Sequence, residues 1–169
     1  MMFSSLPLGY NHKIFNDNYN SDISCYLNQK ISLTLFNNDY EDKYKKILLQ
    51  SCGLKECHFT ATGALAVESA LKTSLYHSWP KRKKVVSITN SYHGINSWGV
   101  VTDSNTSSTS KRLNRFPSFD WPVVNLENAL KYIESDGSIS SVIVEPIQCT
   151  NGDIILPQEI LLDLRQICR

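Results

Sequence analysis

Three short stretches carry side chains whose types and spacing suit chemistry. In "HFTATGALAVESALK", His58 to Lys72, the residues Thr62, Gly63 and Ala64 stand where a helix would open. A helix N-terminus presents unpaired N–H groups and a partial positive charge, which suits a phosphate. Gly63 and Ala64 would let an anion reach those amides, and Thr62 could add a hydroxyl. A tightly packed strand-to-helix crossover also asks for small residues, so composition leaves both readings open. In "SYHG", Tyr92 and His93 put an aromatic ring and an imidazole just past an apolar run. That ring could stack on a flat heterocycle or simply fill a core. In "VEPIQ", Glu145 ends a second apolar run, and Pro146 holds it extended and stops the strand. A carboxylate there needs a cation or a hydrogen-bond donor, so an ordinary buried ion pair is the alternative to a ligand site. Gln148, close behind, can both donate and accept.

The elements that would position these residues follow from periodicity. Tyr40, Tyr44, Ile47 and Leu48 fall on one helical face behind Asn37-Asn38-Asp39 as a capping region, and Gly53 marks the end. A short strand is expected around Cys57–Thr60. The next helix carries Ala64, Val67, Leu71 and Leu75 on one stripe and is stopped by Pro80. Lys84–Thr89 and Ser141–Pro146 read as buried strands. Between them Leu126, Leu130 and Ile133 give a short helix, closed by a turn at Asp136-Gly137. A last helix runs from Pro157 to Cys168 with Ile160, Leu161, Leu164 and Ile167 inward. Residues 1–38 read as extended or irregular, and Thr102–Arg112 as a polar, mobile surface loop. Uniformly apolar strands alternating with helices predict an α/β fold with a parallel sheet covered on both faces. Ligands bind such sheets beyond the carboxyl ends of the strands. The stretches Thr60–Ala64, Ser91–Gly94 and Glu145–Asp153 are therefore expected to open on one edge.

Composition narrows the classes. The chain has 169 residues, 41% apolar and 20% charged, with a net charge of +1, as expected of a soluble globular domain. That balance gives no reason to invoke nucleic acid or an anionic membrane. The one basic cluster, Lys81-Arg82-Lys83-Lys84, precedes an apolar run without an aromatic-rich basic groove, and reads as the solvated start of a strand. No secretory signal and no membrane-length apolar run is visible. Five scattered cysteines without a C-x-x-C pair indicate reduced thiols in a cytoplasmic protein. The four histidines lack metal-ligand spacing, so no metal site is expected.

Taken together, these stretches resemble the class III pyridoxal-phosphate aminotransferases, most of all the lysine 6-aminotransferase branch. "GALAVESALK" (Gly63–Lys72) is similar to that branch's phosphate-cup helix, and "YHG" (Tyr92–Gly94) to its ring-stacking element. "RFPSFDWP" (Arg115–Pro122), "VEPIQ" (Val144–Gln148), "LLDLRQIC" (Leu161–Cys168) and "LPLGYNH" (Leu6–His12) extend the likeness over nearly the whole chain. The resemblance implies part of the large domain of the fold-type I transferase fold, with two subunits sharing the active sites as a homodimer. By it, Thr62, Gly63 and Ala64 take the phosphate of pyridoxal 5'-phosphate and Tyr92 stacks on its ring. His93, Glu145 and Gln148 then lie near the cofactor. The implied reaction moves an ω-amino group from lysine or another amine to a 2-oxo acid such as 2-oxoglutarate. Residues 1–55 would form an N-terminal segment and helix, and 56–169 a partial cofactor-binding domain. The family's Schiff-base lysine, its pyridinium-pairing Asp and its small C-terminal domain match nothing in this chain. The expectation is a portion inactive alone; a non-catalytic homologue serving as a binding or dimerising module is the alternative, as is a class III transaminase with another donor. Two positions depart from the branch. Ile95 stands where it carries an Arg that grips a substrate carboxylate, and can form no bidentate pair. Thr150 stands where it has a second Glu.

Overall fold

A computed structural model describes residues 12–14, 39–96, 98–99 and 119–168. The motifs at Leu6–Asn11 and Arg115–Ser118, the capping residues Asn37 and Asn38, and the loop Thr102–Arg112 lie outside the described residues. The chain divides into two compact units, residues 1–60 and 61–169.

In the first unit, helix α1 spans Asp39–Cys52. Gly53 ends it with a left-handed φ of +66°, its N–H donating to Leu49 O at 3.0 Å. The tail then folds back along the helix. The Phe59 ring stacks on Tyr44 with 5.5 Å between centroids, and Glu56 lies 3.6 Å from Lys45 Nζ. The strand expected at Cys57–Thr60 does not form. Those residues have no regular secondary structure, and Phe59 among them packs on the Tyr44 ring. Tyr44 and Ile47 remain exposed, so the apolar face of α1 is only partly covered.

The second unit begins with helix α2, Gly63–Ser78. Strand β1, Lys84–Ile88, follows, then β2, Val123–Val124. Helix α3, Leu126–Ser135, leads into β3, Ile139–Ile143. The sheet order is β2-β1-β3 and both pairings are parallel, with Ser87 opposite Val123 and Ile143. The β-branched residues Val85, Val86 and Ile88 make the centre of the core, each nearly inaccessible. Helix α2 packs on β3, and α3 on β1 and β2. A small antiparallel hairpin of β4, Ile147–Gln148, and β5, Ile154–Ile155, turns through Cys149–Asn151 and Gly152. Helix α4, Gln158–Ile167, packs against α3 and buries Leu164.

The strand expected over Ser141–Pro146 instead occupies Ile139–Ile143. Glu145 therefore sits two residues past the strand, where its backbone is released from the ladder. The basic cluster is absorbed locally. Lys84 Nζ lies 3.1 Å from Asp136 and 3.3 Å from Asp120, while Lys83 Nζ stands 4.8 Å over the Trp79 ring. Among the described residues no helix is long and apolar enough to cross a membrane, and no group of three or more His, Cys, Asp or Glu could hold a metal.

Candidate cofactor site

The start of α2 shows which small residues serve packing and which do not. Thr62 has an extended backbone, and its Oγ1 accepts the Leu65 N–H at 3.2 Å while its carbonyl accepts the Ala66 N–H at 3.0 Å. The Thr62 oxygen thus caps the helix. The N–H groups of Gly63 and Ala64 remain, with no helix carbonyl upstream to take them. A Cβ added to Gly63 would meet no atom within 4 Å. Packing does not require glycine there. It does require one at Gly94, where an added Cβ would lie 2.9 Å from Ala64 Cβ and 3.1 Å from Ala64 Cα, at a φ of +106°. The Tyr92–Gly94 turn is therefore pressed directly against the first turn of α2, beside two free amides and open space.

The same turn is held from the β3 side. Asn90 adopts a left-handed φ of +66°, and Ser91 Oγ donates to Ile88 O at 2.6 Å. The Tyr92 N–H donates to Glu145 Oε2 at 2.8 Å, and Gln148 Nε2 donates to Thr89 O at 2.8 Å. Glu145 and Gln148 thus staple the end of β1 to the segment leaving β3. The partner of Glu145 is a backbone N–H and not the cation of an ordinary ion pair. Burial pushes the Glu145 carboxyl above its usual range, and the Tyr92 N–H opposes that shift. His93 and Gln148 are buried, whereas Tyr92 is 39% and Ile95 67% exposed. Thr150 is exposed in the turn between β4 and β5. The three stretches, seen first as separate motifs, meet: Gly94 lies against Ala64, and Tyr92 is bonded to Glu145.

Two residues of this region escaped the sequence reading. Glu68 is buried on α2 and accepts the Trp98 N–H at 2.7 Å. Gly99 brings the chain back against His93, since a Cβ there would fall 2.6 Å from His93 O. The signal for Glu68 was present: a carboxylate within the Ala64–Leu71–Leu75 face has no place unless something donates to it. Farther along α2, an aromatic groove of about 790 Å³ is lined by residues including Tyr76, Trp79, Trp98, Phe119 and Trp121.

Two free amides at a helix start, open space at Gly63 and an exposed Tyr92 ring fit a phosphate joined to a flat heteroaromatic ring. A parallel α/β sheet with that combination at its strand ends has the architecture of the pyridoxal-phosphate transferases. The fold agrees with ornithine aminotransferase from Toxoplasma gondii, a structure with partial occupancy of pyridoxal phosphate at its active site. The two share a TM-score of 0.70 and 22% identity over 81% of this chain and 34% of that one. The family model "Aminotransferase class-III" matches residues 2–169, and the chain belongs to that pyridoxal-phosphate-dependent family. Acetylornithine aminotransferase 2 of Caulobacter vibrioides is 32% identical over 114 residues, 65% of this chain and 28% of the relative. L-lysine-epsilon aminotransferase of Streptomyces clavuligerus is 30% identical over 149 residues, 68% of this chain and 32% of the relative. The chain spans about a third of the length of these relatives.

Proposed function

We propose that this chain forms the phosphate-holding and ring-stacking part of an aminotransferase that moves an ω-amino group to a 2-oxo acid. Residues 56–169 act in this reading as part of the cofactor-binding large domain. The observation that carries it is the approach of Gly94 to Ala64, which joins the free amides of α2 to the Tyr92 turn. Pyridoxal phosphate, when bound, supplies the electron sink for amino transfer. The chain's own residues do the holding. Gly63 and Ala64 N–H groups take the phosphate, aided by the positive end of the α2 dipole. The Tyr92 ring covers one face of the cofactor ring. Glu145 fixes the Tyr92 backbone, Gln148 fixes Thr89, and His93 fills the space beneath the turn.

Lysine at its epsilon amine and acetylornithine are the donors in the names of the two relatives, so a diamino acid or its derivative is the donor class we favour. Ile95 favours a second reading within the class. An exposed apolar side chain three residues after Tyr92 suits a donor without a carboxylate at that position. We further propose that the 169-residue chain does not turn over alone and that the working form is a homodimer of a longer assembly. The test is amino transfer from lysine, acetylornithine and an uncharged ω-amine to 2-oxoglutarate, with borohydride trapping of any lysine-bound cofactor. The proposal expects cofactor binding without turnover or a stoichiometrically trapped lysine. Turnover above the free-cofactor background by this chain would overturn it.

A further inference from the structure

The Tyr92 turn is held on its outgoing side by Glu145, but its returning side has an anchor of a different kind. The turn closes on itself at Gly99, packed against His93 O. One residue earlier, the Trp98 N–H donates to Glu68 Oε1 at 2.7 Å. Glu68 is 7% exposed and lies on α2, little more than one turn beyond Gly63 and Ala64. Its other oxygen lies 3.9 Å from Lys72 Nζ, and Lys72 in turn stands 5.5 Å from the centre of the Trp98 ring. A buried carboxylate with a short bond from a backbone amide is expensive to keep in an apolar face unless it secures something.

We infer that Glu68 is a positioning residue for the cofactor: it clamps the return leg of the Tyr92 turn to the phosphate-holding helix, so that ring and phosphate sites stay at one fixed separation. This rests on the proposed cofactor reading of Gly63 and Tyr92. Glu68 acts on Trp98, and through the Gly99–His93 closure on Tyr92. Because the clamp acts on the ring-stacking side, it governs the part of affinity that depends on the ring and leaves the phosphate amides unchanged.

The test uses the full 169-residue chain as wild type, Glu68→Gln, Glu68→Met and Glu68→Ala. Gln keeps an acceptor for Trp98, Met keeps volume without one, and Ala removes both. Amide hydrogen exchange without cofactor should show residues 91–96, 98 and 99 exchanging about tenfold faster in the Met and Ala variants, as expected for loss of a bond to a charged acceptor. Exchange in β1 should stay unchanged, and Gln should restore protection. With pyridoxal phosphate, the Met variant should bind about tenfold more weakly, with a smaller induced circular dichroism per bound cofactor at saturation. Its affinity for inorganic phosphate should equal that of wild type. Unchanged exchange in residues 91–96, 98 and 99, or equal losses for pyridoxal phosphate and inorganic phosphate, would overturn the inference. So would a Gln variant as impaired as Met. If wild type binds no pyridoxal phosphate, the functional reading fails, and the exchange comparison still decides whether Glu68 is the clamp.

Discussion

Replacing Gly94 by Ala tests the junction between the turn and the helix. At φ +106° an L-residue is strained, at a cost of ~1–3 kcal/mol. The new methyl would also sit 2.9 Å from Ala64 Cβ and 3.1 Å from Ala64 Cα. Those atoms belong to the first turn of α2 and cannot rotate aside, so overpacking adds ~1–3 kcal/mol. The sum, about 2–6 kcal/mol, is a large part of the ~5–15 kcal/mol that holds an ordinary domain together. Urea unfolding followed by tryptophan fluorescence should therefore show a midpoint lowered by about 1 M or more with the slope retained. Gly63→Ala is the paired control. Its methyl meets nothing within 4 Å, so its midpoint should move by no more than about 0.5 kcal/mol equivalent. Adding Ala64→Gly to Gly94→Ala should recover part of the loss. It removes the clash between the two methyl groups but leaves the helix backbone in the way and the φ strained. A Gly94→Ala protein as stable as wild type would refute the argument that the turn is pressed onto α2.

Thr62→Ala removes the oxygen that accepts the Leu65 N–H, and should cost ~0.5–2 kcal/mol in the same unfolding assay. Full stability in that variant would mean the cap is not formed in solution. Asp136 is held at a pKa of about 2, below the ordinary 3.8, first by the Ser138 hydroxyl and N–H and then by Lys84. A carboxyl depressed in the fold contributes stability above its unfolded pKa and loses it as pH falls through the folded one. That contribution should disappear between about pH 4 and pH 2. Asp136→Asn should therefore flatten the acid side of the stability profile, and parallel acid curves for the two proteins would contradict it.

Much of this arrangement could be read from residue types, and the failures have local causes. The β-branched run of β1 and the stripe of α4 were visible because burial on both faces, or on one, leaves a simple period, whereas β3 carries two serines and buries only Ile139, so its expected bounds fell too late. The strand placed at Cys57–Thr60 does not form, and the Phe59 side chain is instead stacked on the Tyr44 ring. Strands β2, β4 and β5 have two residues each, too few for any alternation to register. The small residues at the opening of α2 raised a question that spacing could not answer. Ala64 is small because Gly94 lies against it, whereas Gly63 faces open space. That difference depends on an approach between segments about 30 residues apart in the chain. Glu145 was marked as a carboxylate in need of a partner, but the partner proved to be the Tyr92 amide, which carries no side-chain signature. The partner of Glu68 was hidden for the same reason, since its donor is also a backbone N–H.

The central claim is that the start of α2 receives the phosphate of a cofactor whose ring lies on Tyr92. Titration of the purified chain with pyridoxal phosphate, followed by cofactor fluorescence, tests it directly when wild type is compared with Gly63→Asp. The substitution fills the open space at Gly63 and sets a carboxylate against the phosphate. Two unit charges ~4 Å apart at an effective dielectric constant near ~20 repel by roughly 4 kcal/mol, more than a hundredfold in affinity. The account predicts saturable binding by wild type and its loss in Gly63→Asp, with both proteins equally folded by circular dichroism. Equal affinity in the two proteins would contradict it.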